Sequence, residues 1–213
     1  MAHKLILFFT VFLLISQASN SQNIDIEILR EINLNRNRKL DQSFVAITNT
    51  LKPVTTAIPI GMACIGLIKK DTAMIRSVLV IGASSLIQGI ITASLKKTVH
   101  RPRPYVTYPE IENFADPRYN ITPLNYNSGD YESFTSGHAS GAFAFATSLS
   151  LEYPKWYVIL PSYAWASAVA YSRLDIGVHY PSDVLMGAVF GAGSAYLCHY
   201  LNKKLFKHST ISH

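Results

Sequence analysis

Three cations, Lys96, Arg103 and Arg173, share this sequence with a Ser136-Gly137-His138 run and with a histidine, His179, placed four residues before Asp183. These residue types suit phosphoryl chemistry. Guanidinium groups present planar pairs of donors that match phosphoryl oxygens, and an ammonium adds a point charge. Ser136-Gly137 stands where an apolar stretch begins. A helix starting there offers free backbone N–H groups and a favourable dipole to an anion, and Gly137 lets the backbone come close to it. His138 and His179 supply an acid and nucleophile pair. Asp183, with Pro181 set to begin a helix, can accept from one imidazole nitrogen and leave the other nucleophilic. No carboxylate cluster or cysteine pair has metal-ligand spacing, so neither a metal nor another cofactor is expected. Each piece alone has a plainer reading. An Arg-Pro pair usually opens a loop, a histidine at a helix end is more often structural, and Arg101 and Lys97 read as solvated anchors.

The chemistry-bearing residues fall in three polar clusters, 96–104, 133–138 and 172–183, each at the end of an apolar segment. The apolar segments are 54–68, 74–95, 140–151, 156–171 and 184–201. Helix ends meeting on one face would gather the clusters into one pocket. Hydrophobic residues make up 49% of the 213 and charged ones 15%, against about 25% charged in soluble domains. The expectation is an all-α, membrane-embedded helical bundle of about five to six spans. Some segments are short: 54–68 has 15 residues, roughly 22 Å of helix, so a helical soluble core stays open as the alternative. Gly187, Gly191 and Ala195, at four-residue spacing, would let helices approach closely in lipid. The net charge of +6 comes without a run of five or six basic residues, which argues against nucleic acid as a partner.

Charge bias gives an orientation. Lys69, Lys70 and Arg76, then Lys155, then Lys203, Lys204 and Lys207 fall at alternate segment ends. By the positive-inside tendency these ends are cytoplasmic, and the three polar clusters face outward. Residues 5–15 are apolar apart from Thr10 and are followed by small and polar residues. Residues 1–21 therefore read as a secretory signal peptide, with a retained anchor as the alternative. Residues 22–52 read as an amphipathic interfacial segment, with Ile24, Ile28, Leu29 and Ile32, then Leu40, Phe44, Ile47 and Leu51, at helical spacing. They would lie on the bilayer surface or pack on a core. Residues 53–205 form the main domain. The stretch 102–133, rich in Pro, Tyr, Asn, Asp and Gly, reads as a long functional loop. Its Tyr105, Tyr108, Tyr119, Tyr126 and Tyr131 suit a membrane interface. Cys64 and Cys198 lie in apolar stretches and read as core residues.

Taken together, the clusters resemble the type 2 phosphatidic acid phosphatase family, whose pattern is Lys-x6-Arg-Pro, Pro-Ser-Gly-His and Ser-Arg-x5-His-x3-Asp. Lys96 and Arg103-Pro104 match the first part, Ser136-Gly137-His138 the second with Thr135 in place of proline, and Ser172-Arg173, His179 and Asp183 the third. The resemblance implies a metal-free phosphatase acting on a lipid phosphate or pyrophosphate. Undecaprenyl pyrophosphate, phosphatidic acid, phosphatidylglycerol phosphate and lipid A phosphates are the candidate substrates. It implies that His179 attacks phosphorus and becomes a phosphohistidine, that Asp183 orients it, and that His138 protonates the leaving oxygen and then activates water. Lys96, Arg103, Ser136, Gly137 and Arg173 would hold the phosphoryl oxygens. The setting would be a multi-pass protein of a bacterial inner membrane with its site on the periplasmic side. No obligate protein partner is expected. A periplasmic acid phosphatase of the same superfamily and a vanadium-dependent haloperoxidase are the alternatives.

Overall fold

The computed structural model describes residues 18–115 and 127–207. Their order is α1 (Ala18–Leu34), a 3-10 turn (Arg38–Leu40), α2 (Asp41–Asn49), α3 (Leu51–Lys69), α4 (Thr72–Val99), the short α5 (Pro104–Thr107), a 3-10 turn (Ser128–Tyr131), α6 (Gly137–Glu152), α7 (Trp156–Asp175) and α8 (Pro181–Lys207). Among the described residues there is no strand. The leader expected over 1–21 lies outside the described residues as far as Gln17, as do Tyr119 and Tyr126 of the long loop.

Local chemistry sets the helix ends. Asp71 caps α4 by accepting from the Met74 amide at 3.0 Å. His100, in the left-handed region at φ 48°, ends that helix. Pro104 and Pro181 open α5 and α8, at positions where the missing N–H has no partner to lose. Each of the five apolar segments lies within a helix longer than itself, α3, α4, α6, α7 and α8 in turn.

α6 is the centre of the bundle, packed against α4, α7 and α8. Its 16 residues include Ala139, Ser140, Ala142, Ala144, Ala146 and Ser148, all buried. α8 reaches it through glycine. A Cβ on Gly191 would lie 2.1 Å from the Ser140 carbonyl oxygen, and one on Gly187 2.7 Å from that of Ser136. Ala195 continues the row and is fully buried. The expected stripe of small residues is therefore the seam between α6 and α8.

The outward faces are apolar. Leu67, Leu79, Leu86, Ile90, Leu185 and Leu205 are exposed, whereas Ser77, Ser84 and Thr92 of α4 point inward. Ser84 shares a hydrogen bond with Ser148 at 2.6 Å, and Ser140 donates to Gln88 at 2.7 Å. Lipid outside and hydrogen-bonded polar groups inside is the arrangement of a membrane bundle. Among the described residues three stretches, Arg38–Lys69, Thr72–Thr107 and Pro181–Leu205, are long and apolar enough to cross a bilayer.

The amino-terminal helices pack on the bundle. α1 lies against α7 and α8, and α2 against α7. The buried face of α1 is Asp25, Ile26, Leu29 and Asn33, while Ile24 and Ile28 are exposed. The inward stripe differs from the aliphatic one because two of its positions are polar and bonded. Asn33 donates to the carbonyls of Glu112 and Asp175 at 3.0 and 2.7 Å and accepts from the Glu112 amide at 2.9 Å. Gly177 passes beneath at φ 79°, and a Cβ there would meet the Glu112 oxygen at 2.5 Å.

Candidate active site

Three segments converge at one end of the bundle: 96–104 after α4, 127–138 entering α6, and 172–183 between α7 and α8. Backbone bonds lace them together. The Arg103 amide donates to the Asp130 carbonyl and the Ser133 amide to that of Arg101, each at 2.9 Å. The Ser136 amide donates to the Asp183 carbonyl at 3.0 Å. Pairing of 101–103 with 130–133 thus carries Ser133 and Arg101 to the first turn of α8.

Asp183 is fully buried at that turn. Its Oδ2 accepts from the Tyr180 amide at 3.0 Å and from Ser133 Oγ at 2.5 Å, and its Oδ1 accepts from Arg101 Nη1 at 2.7 Å. A carboxylate at the third helical position reaching back to the residue before the helix is half of a capping box, so helix capping and site geometry use the same group. His179 Nδ1 stands 3.7 Å from Asp183 Oδ2, beyond hydrogen-bond length, and 3.4 Å from Ser133 Oγ. The expected direct bond between carboxylate and imidazole is accordingly replaced by a cluster with the Ser133 hydroxyl at its centre.

His179 itself is buried, in the turn outside the helices. Burial holds its imidazolium pKa down at about 3; Asp183 opposes this, and Arg103 and Arg173 reinforce it. Its ring is therefore neutral at physiological pH, with Nδ1 directed at Ser133 and Asp183. The positive field of Arg173, Arg103, Lys52 and Lys96 also reaches His138, the second residue of α6.

The cations are pinned by their outer edges. Arg103 donates through Nε to the Gly129 carbonyl at 2.9 Å and through Nη1 to that of Val178 at 3.3 Å. Lys96 bonds the Glu132 carbonyl. Arg173 Nη1 donates to Thr48 Oγ1 of α2 at 2.8 Å, and its Nε is buried without a hydrogen-bond partner among the described residues. A cavity of about 340 Å³ opens beside Arg103 and Arg173, walled also by Tyr105, Asn113, Asn127 and Asp130. Neither His138 nor His179 lines it, so it flanks the two rings.

Three readings change. Arg101 is not a solvated anchor, because it bridges Asp183 and Asp25. Tyr105 is buried with its hydroxyl on Asp130 at 2.5 Å, not at the membrane interface. The Ser136 hydroxyl caps α6 through the Ala139 amide at 3.4 Å and its own amide serves Asp183, which leaves the next amides, Gly137 and His138, at the helix start. Ser133 carried no signal beyond opening the 133–138 cluster, and Thr48 none beyond lying in an amphipathic stretch.

A family model described as the PAP2 superfamily matches residues 77–207. The chain belongs to the PAP2 superfamily. It is 32% identical to an undecaprenyl-diphosphatase of Sulfolobus acidocaldarius over 91% of this chain and 86% of that protein. A lipid A 1-phosphatase of Rhizobium johnstonii is 33% identical over 49% of this chain and 39% of its own length. Among solved structures, a PAP2-type phosphatidylglycerolphosphate phosphatase from Bacillus subtilis superposes with TM-score 0.64 at 25% identity, covering 94% of this chain and 95% of that one. Aquifex aeolicus LpxE gives TM-score 0.64 at 24% identity over 85% and 95%, a likeness of fold. This PAP2 superfamily member is a membrane-embedded phosphatase.

Proposed function

We propose that the chain hydrolyses a lipid phosphate or diphosphate through a phosphohistidine on His179, without a metal. The observation that carries this is the neutral, buried His179 ring, backed on its Nδ1 side by Ser133 and Asp183, beside cations held by their outer edges. With Nδ1 so directed, Nε2 carries the attacking lone pair. It forms the P–N bond as the P–O bond to the lipid breaks, and His138, whose imidazolium would be held against the surrounding cations by the negative charge of the bound phosphate, gives its proton to the departing oxygen. His138 then takes a proton from water as that water displaces His179 from phosphorus.

Arg173 Nε, Arg103, Lys96 and the amides at Gly137 and His138 would hold the non-bridging oxygens. A buried donor without a partner costs about 1–3 kcal/mol, and a phosphoryl oxygen at Arg173 Nε removes that cost. The three cations can neutralise a phosphate in place of a metal. Among the described residues no three His, Cys, Asp or Glu side chains gather as metal ligands.

A lipid substrate is supported by the apolar faces of the bundle and by the similarity to an undecaprenyl-diphosphatase and a lipid A 1-phosphatase. The Sulfolobus match over most of both chains favours a polyprenyl diphosphate. The Lys/Arg bias of the opposite helix ends supports an extracytoplasmic site. The test is phosphate release by purified protein in detergent, with a chelator present, from undecaprenyl pyrophosphate, phosphatidic acid, phosphatidylglycerol phosphate and lipid A. Release from at least one of them, blocked by vanadate, is expected. Release only after magnesium is added would overturn the metal-free reading.

A further inference from the structure

Asp25 lies on α1, outside the residues matched by the family model and outside all three motifs. It is nevertheless buried, and its side-chain hydrogen bonds to the described residues all lead to the site. Oδ2 accepts from Arg101 Nη2 at 2.8 Å and from the Ser182 hydroxyl, and Oδ1 accepts from the Ser182 amide at 2.8 Å. Arg101 uses its other nitrogen, Nη1, on Asp183 Oδ1 and on Ser182 Oγ, each at 2.7 Å. Its guanidinium carbon also sits 3.9 Å from the centroid of the Tyr180 ring.

One planar fork thus joins two carboxylates, Asp183 beside His179 and Asp25 outside it. Arginine suits this task because its donors are fixed relative to one another. Asp25 also occupies the start of α8, where a negative charge meets an orphan amide and the positive end of the helix dipole. α1 is held independently at its far end by Asn33 on Glu112 and Asp175, and by Ile26 and Leu29 packed with Ile111 and Tyr180. The position of Asp25 is therefore imposed by the fold and does not follow Arg101.

We propose that Asp25 is a positioning residue of this phosphatase: it fixes Arg101, Arg101 fixes the Asp183 carboxylate, and the carboxylate sets the attacking orientation of His179. This rests on the reading of His179 as nucleophile. The effect of Asp25 falls on attack, not on leaving-group departure or substrate affinity. α1 is then an active-site element, although it precedes the matched family region.

The experiment measures kcat and KM of the full-length protein in detergent for wild type, Asp25→Asn, Asp25→Glu, Arg101→Gln and the double variant Asp25→Asn/Arg101→Gln. A phosphate lipid that wild type turns over and nitrophenyl phosphate serve as the two substrates. Asp25→Asn should lower kcat by about 10- to 100-fold, the range for a lost hydrogen bond between charged groups. KM should stay within about twofold, and the factor should be the same for both substrates. Asp25→Glu should recover part of the loss. In the Arg101→Gln background the Asp25 substitution should change kcat by less than about twofold, because its route is already cut. Unchanged kcat in Asp25→Asn, a loss confined to KM, or losses that multiply in the double variant would each overturn the proposal. If Asp25→Asn does not fold, Ser182→Ala, which removes one donor to Asp25, is read by the same kcat criterion. Wild type that releases no phosphate refutes the phosphatase reading, whereas an active wild type with an indifferent Asp25 refutes this inference alone.

Discussion

Ser133 Oγ donates to Asp183 Oδ2 at 2.5 Å while standing 3.4 Å from His179 Nδ1. The hydroxyl occupies the place where a direct carboxylate–imidazole bond was expected. Its donated proton is committed to the carboxylate, so its lone pairs face the imidazole N–H and favour the tautomer with Nε2 free. Ser133→Ala should therefore slow phosphohistidine formation by about 10-fold, the low end for a hydrogen bond to a charged group. The fold should survive, since Asp183 keeps Arg101 and the Tyr180 amide. Single-turnover kinetics and a melting curve in detergent measure the two effects.

The two histidines should fail differently. His179→Ala should remove turnover with every substrate. His138→Ala should cost about 10²- to 10⁴-fold with a lipid leaving group and much less with nitrophenyl phosphate, whose leaving group needs no proton. Comparing the two substrates on each variant is the check, and equal losses for His138→Ala would remove its role as acid.

Stability should carry the signature of a buried neutral imidazole. Burial depresses the His179 pKa to about 3, against about 6.5 in an unfolded chain. Between these values the unfolded chain takes up a proton that the folded chain refuses. The contribution is present above about pH 6.5 and is lost as the pH falls toward 3. The melting temperature of wild type should accordingly fall more steeply than that of His179→Asn between pH 7 and pH 4.5. Parallel curves would contradict the depressed value.

The seam between α6 and α8 gives a paired stability test. A Cβ on Gly191 meets the Ser140 carbonyl oxygen at 2.1 Å, whereas one on Gly193 meets nothing within 4 Å. Gly191→Ala should lower stability by about 1–3 kcal/mol or more, because backbone must move. Gly193→Ala should be neutral or slightly stabilising. Thermal unfolding of both variants in detergent decides it.

How the sequence foretold these features depends on the range of the interaction. The spacing Lys96-x6-Arg103, Ser136-Gly137-His138 and His179-x3-Asp183 was legible because each set lies within a turn or two of one helix end. The five helices were legible as apolar runs. Arg101 was misread because its partners, Asp25 and Asp183, are 76 and 82 residues away in sequence. The buried face of α1 was not legible because the inward positions Asp25 and Asn33 are polar, and aliphatic periodicity reports burial only where the core is apolar. In α4 the bilayer inverts the rule, with Leu79 and Leu86 outward and Ser77 and Ser84 inward.

Sidedness can be read with thiols. In a chain with Cys64 and Cys198 replaced by serine, Ser128→Cys and Lys204→Cys, both at exposed positions, place one probe at each end of the bundle. An impermeant thiol reagent applied to intact cells should label the first and spare the second. The reverse pattern would put the site in the cytoplasm.

The most direct measurement is rapid-quench labelling with a substrate carrying labelled phosphorus, in the presence of a chelator. Wild type should trap base-stable, acid-labile phosphohistidine, His138→Ala should still trap it with nitrophenyl phosphate, and His179→Ala should trap none. Label retained in His179→Ala and absent from His138→Ala would contradict the account, because the nucleophile would then be the histidine at the start of α6.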